Sequence, residues 1–153
     1  MVSKFEAKLN GDTLVISMTG EITGQSHLPD IKSVNARKVL IDLAGLKYIN
    51  SGGVRNWIVF MSQAKETLPA ANFQFENFPS TFVRQVASIQ GFLPPGSSVN
   101  SFFVPFYCSD CDHSTEQVFP KQKDLLKKIM TIPCPKCGGK MEIDAVPEHY
   151  LEL

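Results

Sequence analysis

The sequence has no excess of charge of either sign and no long apolar run. Its 153 residues carry 15 Lys and Arg against 15 Asp and Glu, so the formal net charge is zero. A balanced chain has no general attraction to nucleic acid or to an anionic membrane surface. No apolar run reaches the length of about 20 residues that a membrane-spanning helix needs. Residues 1–6 also lack the apolar core of a secretion signal. We therefore expect a cytoplasmic protein that does not enter a membrane.

The sequence patterns of the common catalytic sites are missing as well. There is no His-Glu-x-x-His motif, no phosphate-binding loop ending in Gly-Lys, and no Ser, His and Asp in the order of a hydrolase triad. The sequence therefore predicts that this protein is not an enzyme. A chain of 153 residues can still bury a real core, with room for one full domain and a small second one.

The most informative stretch begins with the apolar run Val39 to Leu43. This run is too short for a helix and rich in β-branched residues, which predicts a buried strand. The turn Asn-Ser-Gly-Gly follows at residues 50–53, and apolar residues then recur at helical spacing. We expect a helix whose apolar face is buried together with Leu40. That face consists of Val54, Trp57, Ile58 and Met61.

Ser51 lies at the predicted start of this helix. Its hydroxyl is expected to act as the N-cap by accepting a hydrogen bond from an amide of the first turn. A helix N-terminus with two glycines also suits a phosphate group. Arg55 is predicted in the first turn, where a cation is unfavourable against the helix dipole. This arrangement favours either a bound anion or a partner's carboxylate next to Arg55.

Strand and helix patterns alternate along the first two thirds of the chain. Phe5–Leu9 and Leu14–Met18 flank an Asn-Gly turn and predict a β-hairpin. The alternation predicts an α/β domain with a mixed sheet, in which the Val39 strand is central and the hairpin is antiparallel. The other predicted elements are a short helix at 27–34, a strand at 73–75, a helix at 82–89 closed by Gly91, and a last strand of the sheet at 99–107.

Two Cys-x-x-Cys pairs mark a change of character at residue 108. Cys108 and Cys111 form the first pair, Cys134 and Cys137 form the second, and no cysteine is left over. In a cytoplasmic protein such pairs are more often metal ligands than disulfides. Four thiolates in this pattern make a tetrahedral zinc site, so the sequence predicts zinc as a cofactor. The alternative is thiol redox chemistry, but the thioredoxin-like pattern that should accompany it is missing.

The segment from residue 108 to 153 has few apolar residues for a core of its own. We expect zinc to supply its stability. The sequence therefore divides into a domain at residues 1–107 and a zinc-binding module at 108–153, whose separate cores should unfold separately.

Both parts resemble known families. Ile41-Asp42-Leu43-Ala44-Gly45 and the later Tyr48-Ile49-Asn50-Ser51-Gly52-Gly53 resemble the STAS domain of bacterial anti-sigma factor antagonists. The resemblance extends to residues 20–22 and 89–93, and it covers about two thirds of the chain. Cys-Pro-Lys-Cys-Gly-Gly at residues 134–139 resembles a zinc ribbon. The implied fold is an α/β STAS-like domain followed by a zinc-ribbon module.

The resemblance also implies a function. In phosphorylated STAS proteins the serine that matches Ser51 accepts phosphate from a partner kinase, although this chain has Asn50 where the family has an acidic residue. The implied protein is a regulatory binding module that captures a protein partner such as an anti-sigma factor or a serine kinase. The expected partner-binding residues are Asn50, Ser51, Gly52, Gly53 and Arg55.

In a second hypothesis the zinc ribbon is the part of the protein that carries the function. Zinc ribbons often touch nucleic acid, so the STAS-like part would be a scaffold and the ribbon would contact nucleic acid or the transcription machinery. A basic run supports this alternative: Lys121, Lys123, Lys127 and Lys128. However, residues 108–153 carry six Lys and Arg against eight Asp and Glu. A solvated surface is the simpler interpretation of the run, and nucleic acid is not the expected partner.

Overall fold

Two sheets organise the computed structural model, which describes residues 3–31 and 35–153 apart from the side chain of Leu126. The first sheet has five strands, of which β1 and β2 are antiparallel and the others parallel. In spatial order they are β1 (Lys4–Asn10), β2 (Thr13–Ile22), β3 (Lys38–Ile49), β4 (Asn72–Glu76) and β5 (Ser98–Val99). The predicted mixed sheet and its central strand are therefore confirmed.

The N-terminal hairpin follows from its turn sequence. Asn10 pairs with Thr13 across a loop of two residues, Gly11 and Asp12. Gly11 has φ +59°, the left-handed value that a hairpin turn with glycine at its first central position requires. The hairpin that the sequence predicts around Asn-Gly is thus confirmed.

One face of the first sheet is buried under helices. The helix α1 (Ser51–Thr67) connects β3 to β4, and α2 (Ser80–Ser88) connects β4 to β5. Ile41 and Phe75 are register partners on this buried face, and Trp57 of α1 lies 6.1 Å from Phe75 between ring centroids. Leu40 is only half-buried, because neighbouring residues of a strand point to opposite faces. The prediction that Leu40 is buried with this helix face or with its neighbours was therefore wrong.

Trp57 is the centre of an aromatic cluster between α1, α2 and β4. It is fully buried, and its ring lies 5.0 Å from Phe82 and 5.8 Å from Phe92. Its indole N–H donates a hydrogen bond of 2.8 Å to the carbonyl oxygen of Phe92, so the polar atom is satisfied. Met61 is buried as predicted, whereas Val54 and Ile58 are half-buried at the edge of the helix face.

The second sheet is antiparallel and has four strands in the order β7-β6-β9-β8. Two short helices accompany it. In chain order its elements are β6 (Ser101–Cys108), β7 (His113–Pro120), α3 (Leu125–Ile129), β8 (Thr131–Pro133), β9 (Lys140–Ile143) and α4 (Glu148–Leu151). None of the helices in the described part of the chain is long and apolar enough to cross a membrane.

Three predicted elements differ from the structure. The expected strand at 99–107 is divided: β5 ends the first sheet at Val99, and β6 belongs to the second sheet. Its apolar alternation was visible, but alternation does not identify the partner strand. Residues 27–31 are not helical, consistent with the extended backbone that Pro29 favours before it, and residues 32–34 of that prediction lie outside the described residues. The helix α2 ends at Ser88 with Ile89 as C-cap, so Gly91 lies in the turn beyond it.

The two sheets share one core. Their buried side chains form a single contiguous cluster, so the expectation of separate cores was wrong. The backbone of Phe78 makes two hydrogen bonds with β6. Its amide donates to the carbonyl oxygen of Ser101 at 3.0 Å, and its carbonyl oxygen accepts from the amide of Phe103 at 2.9 Å. Tyr150 of α4 packs on Phe102 with 5.1 Å between ring centroids and donates its hydroxyl hydrogen to the carbonyl oxygen of Phe103 at 2.9 Å. The domain boundary at residue 107 stays a prediction.

Replacing Trp57 tests this core. Trp57→Ala should lower the free energy of unfolding by about 3–5 kcal/mol, because it leaves a large cavity. Trp57→Phe should cost clearly less, since the ring volume is partly kept. The measurement is urea unfolding followed by circular dichroism. Val59→Ala is the control, since Val59 is 48% exposed on the same helix and should change stability by less than about 0.5 kcal/mol. Equal costs for Trp57→Ala and Val59→Ala would contradict the placement.

Candidate functional sites

The start of α1 is capped by Asn50, not by Ser51 as the sequence predicted. Asn50 has extended backbone angles, and its side-chain oxygen accepts a hydrogen bond of 2.8 Å from the amide of Gly53. Its carbonyl oxygen accepts the first helical bond, from the amide of Val54 at 2.8 Å. Asparagine is as good a cap as serine, so the residue preferences alone did not separate the two positions. Ser51 is instead the first residue inside the helix.

The two glycines after Ser51 let the helix begin against the end of β2. A Cβ atom on Gly53 would lie 2.0 Å from the carbonyl oxygen of Ile22, and one on Gly52 would lie 2.8 Å from the Cα of Gly24. Both contacts are with backbone, which cannot move aside cheaply. The glycines therefore have a packing role. The amide of Gly53 is also occupied by Asn50 and is not free to hold a phosphate.

Ser51 and Arg55 are the two exposed side chains at this helix start, whereas Gly53 is buried and Asn50 and Gly52 are half-buried. The two lie four positions apart on α1, and such residues are neighbours on one face of a helix. The hydroxyl of Ser51 makes no hydrogen bond within residues 3–31 and 35–153. Arg55 is the fifth residue of α1, one residue further along the helix than predicted and therefore just beyond the first turn. An accessible hydroxyl next to a cation can accept a modification or meet an anionic partner group.

The four cysteines come together at one end of the second sheet. Cys108 is the last residue of β6. The amide of Asp112 donates a hydrogen bond of 2.8 Å to the carbonyl oxygen of Cys108 and closes the first loop. Cys134 follows β8, and its carbonyl oxygen accepts from the amide of Gly138 at 2.9 Å in the second loop. Gly138 has φ +74°, a conformation that favours glycine at this turn. Each Cys-x-x-Cys pair thus forms one tight turn with both sulfur atoms on the same side.

The sulfur atoms are spaced as metal ligands. All four lie within 4.8 Å of one another, and the sulfur atoms of Cys108 and Cys137, like those of Cys111 and Cys134, are 3.6 Å apart. Ligands at about 2.3 Å from a tetrahedral ion stand about 3.8 Å apart, whereas a disulfide brings its sulfurs to about 2.0 Å. All four cysteines are free thiols. The cluster can therefore hold a metal ion.

The thiols of the cluster differ in acidity. Desolvation raises the pKa of Cys111 to about 12, and hydrogen bonding with the neighbouring thiols adds to this. Desolvation acts on Cys134 as well, but the backbone amides of Cys137 and Lys136 stabilise its thiolate and lower its pKa to about 7. A metal ion must displace the proton of Cys111, so metal affinity is expected to rise with pH.

Tyr107 lies beside the cluster and was not singled out from the sequence. Its exposed hydroxyl donates a hydrogen bond to the carboxylate of Asp112, and this bond, with the charge of Asp112, raises the pKa of the phenol. Asp112 itself has φ +62°. The pair supports the loop that carries Cys111. An aromatic residue one position before a Cys-x-x-Cys turn was the only indication in the sequence.

The comparisons with known proteins assign no family to this chain: no family model matches it, and no curated protein matches it.

The glycine contact at the helix start makes a direct prediction. Gly53→Ala should lower the free energy of unfolding by about 3 kcal/mol, because the added methyl group overlaps the carbonyl oxygen of Ile22. Asn50→Ala should cost about 1 kcal/mol through the lost cap. Ser51→Ala is the matched control and should stay within about 0.5 kcal/mol. Urea unfolding followed by Trp57 fluorescence provides the three values. If Ser51→Ala proves as costly as Asn50→Ala, the capping assignment is wrong.

Proposed function

We propose that this chain is a regulatory, non-catalytic module of the STAS type, which binds a protein partner at the start of α1 and is switched by phosphorylation of Ser51. The observation that carries the proposal is the position of Ser51. It is exposed, it is the first residue of a helix that follows the central strand, and its hydroxyl has no structural task, because Asn50 supplies the cap.

The order of the elements supports the same proposal. A hairpin comes first, and the central parallel strand then leads through Asn50 directly into α1. This is the strand, turn and helix order of the STAS-like motif at residues 41–53. The motif alone describes residues 41–53, and the topology adds that the strand leading into α1 is the central one of the sheet.

A phosphoryl group on Ser51 would act on the free protein and on a complex in opposite ways. In the free protein it would lie at the positive end of the α1 dipole with the guanidinium of Arg55 one turn away, which favours the modified form. In a complex it would place about two negative charges in the contact surface. A partner that presents a carboxylate to Arg55, such as an anti-sigma factor or a serine kinase, would then be repelled.

We infer that the metal of the cysteine cluster is zinc. Four thiolates form a soft donor set, and a closed set of four protein ligands is typical of structural rather than catalytic zinc. The first cysteine loop follows β6 and the second follows β8, and these two strands are not neighbours in the sheet. Zinc would thus hold together strands whose own pairing is short, as in a zinc ribbon. Reduced thiols of this kind fit a cytoplasmic protein.

The zinc proposal is tested by metal content and by two variants. The purified protein should contain one zinc per chain, and Cys134→Ser should abolish stoichiometric binding. Because the two sheets share one core, Cys134→Ser should lower the unfolding midpoint seen by Trp57 fluorescence as well as that seen by circular dichroism. Ser109→Ala, an exposed residue inside the first loop, is the control and should retain both the metal and the stability.

Two results would contradict these expectations separately. Four reactive thiols and well under one zinc per chain would exclude the metal site. A Cys134→Ser variant with an unchanged Trp57 transition would show that the first sheet unfolds independently of the second.

The proposed phosphorylation switch at Ser51 is tested by pull-down of a partner with the wild-type protein and its variants as baits. A partner bound by the wild type should bind Ser51→Ala equally well and bind Ser51→Asp more weakly. A coupling of about 1–3 kcal/mol corresponds to a change of roughly 5- to 150-fold in affinity. Arg55→Ala should also weaken binding if Arg55 meets a carboxylate. Ser62→Asp adds the same charge to an exposed serine further along α1 and is the control.

The outcome separates the two functional hypotheses. Equal binding by Ser51→Asp, Arg55→Ala and Ser62→Asp would show that the start of α1 is not the interface. Binding to DNA or RNA that weakens steeply with salt would favour instead the zinc ribbon as a nucleic-acid contact.

A further inference from the structure

The strand β1 is an open edge of the first sheet. It pairs with β2 on one side, and no strand among the described residues lies on its other side. Six of its seven residues are exposed and only Phe5 is half-buried. Edge strands of this kind offer unpaired backbone groups to another chain.

The hairpin determines which backbone groups of β1 point outward. A loop of two residues is closed by a hydrogen-bonded pair, which here is Asn10 with Thr13. Hydrogen-bonded pairs alternate with non-bonded ones along an antiparallel ladder, so the residues between them turn their N–H and C=O groups to the open edge. These residues are Phe5, Ala7 and Leu9.

The same three residues form an apolar stripe. Their register partners on β2 are Met18, Ile16 and Leu14, all buried in the core. The stripe on β1 therefore lies on the same face of the sheet as the buried residues of β2, and it extends this apolar face to the edge. Leu9 at its end is 48% exposed. A neighbouring strand with a similar stripe would cover this apolar surface.

The charges on the other face identify that neighbour. Lys4, Glu6 and Lys8 alternate in sign along β1. If a second copy of β1 pairs antiparallel with Ala7 opposite Ala7, the whole strand overlaps, and each Glu6 stands opposite Lys8 of the other copy. Phe5 then stands opposite Leu9. The next possible registers on either side place Glu6 opposite Glu6 or Lys8 opposite Lys8, which is unfavourable.

We propose that β1 is a self-association surface through which two copies of this chain form a symmetric dimer. The two first sheets become one continuous sheet, with the twofold axis at Ala7 and about six hydrogen bonds between the outward backbone groups. Edge strands that avoid pairing carry charges that would repel a partner strand. The charges of β1 instead attract a copy of the same strand in a single register. This surface is separate from Ser51, so the proposal does not rest on the proposed function.

Charge reversal gives a test with an internal rescue. Glu6→Lys and Lys8→Glu each place like charges opposite one another at two sites of the dimer. Each should raise the dimer dissociation constant by about tenfold or more. The double variant Glu6→Lys/Lys8→Glu restores both pairs and should return the constant to within about threefold of wild type. Sedimentation equilibrium over a range of concentrations measures all four proteins.

Two further variants separate the backbone contribution from general effects. Ala7→Pro removes an outward N–H that β2 does not use, at an edge where proline is tolerated, and should abolish the dimer. Its Trp57 emission should remain that of the folded protein. Lys47→Glu makes the same charge change on an exposed residue of β3 and should leave the dimer unchanged.

The proposal would be overturned by a wild-type protein that stays monomeric up to about millimolar concentration, the range of weak specific contacts. It would also fail if the double variant associates as weakly as the single variants, or if folded Ala7→Pro still dimerises with wild-type affinity. The last result would place the dimer contact elsewhere on the molecule.

Discussion

The close contact between Gly53 and the carbonyl oxygen of Ile22 is the constraint on which the first site depends. No side chain fits between them, so the start of α1 is held against the end of β2. Asn50 can then turn its side chain back onto the amide of Gly53, and the chain changes from strand to helix in one residue. Ser51 is left facing outward by this geometry. The features that make the helix start a candidate binding surface are thus consequences of backbone packing beneath it.

The second constraint is the core that the two sheets share. The first residues of the strand β6 form backbone hydrogen bonds with Phe78, which follows β4 of the first sheet. The strand ends at Cys108 in the metal-binding cluster. Tyr150 of α4 packs against Phe102 of the same strand and donates a hydrogen bond to the carbonyl oxygen of Phe103. A change at either end of β6 therefore acts on packing that both sheets use. Cys108 and Cys134 belong to the same buried cluster as the core of the first sheet.

Local sequence patterns predicted most of the helices and strands. The prediction failed for features that depend on contacts between residues distant in the sequence, such as strand pairing. Asn-Gly between two apolar runs specified the hairpin, helical spacing specified α1 and α2, and the cysteine spacing brought four sulfurs to one place. The alternation of β6 did not reveal that its partners are β7 and β9. The capping role went to Asn50 because Ile22, distant in sequence, sets where the helix can begin. The roles of Ser51 and Arg55 depend on a partner, so neither sequence nor packing alone can establish them.

The length of chain enclosed by the cysteine cluster has a consequence for the order of assembly. Cys108 and Cys137 lie 29 positions apart, and the Tyr150 hydroxyl reaches back 47 positions to Phe103. Closing segments of this length costs conformational entropy before any contact compensates for it. The hairpin β1–β2 closes over a two-residue loop and has almost no such cost. During synthesis both hairpins, β1–β2 and β6–β7, can form early, since β7 follows β6 across the short loop 109–112. The contacts of Cys108 with Cys137 and of Phe103 with Tyr150 must wait for residues that the ribosome adds dozens of steps later.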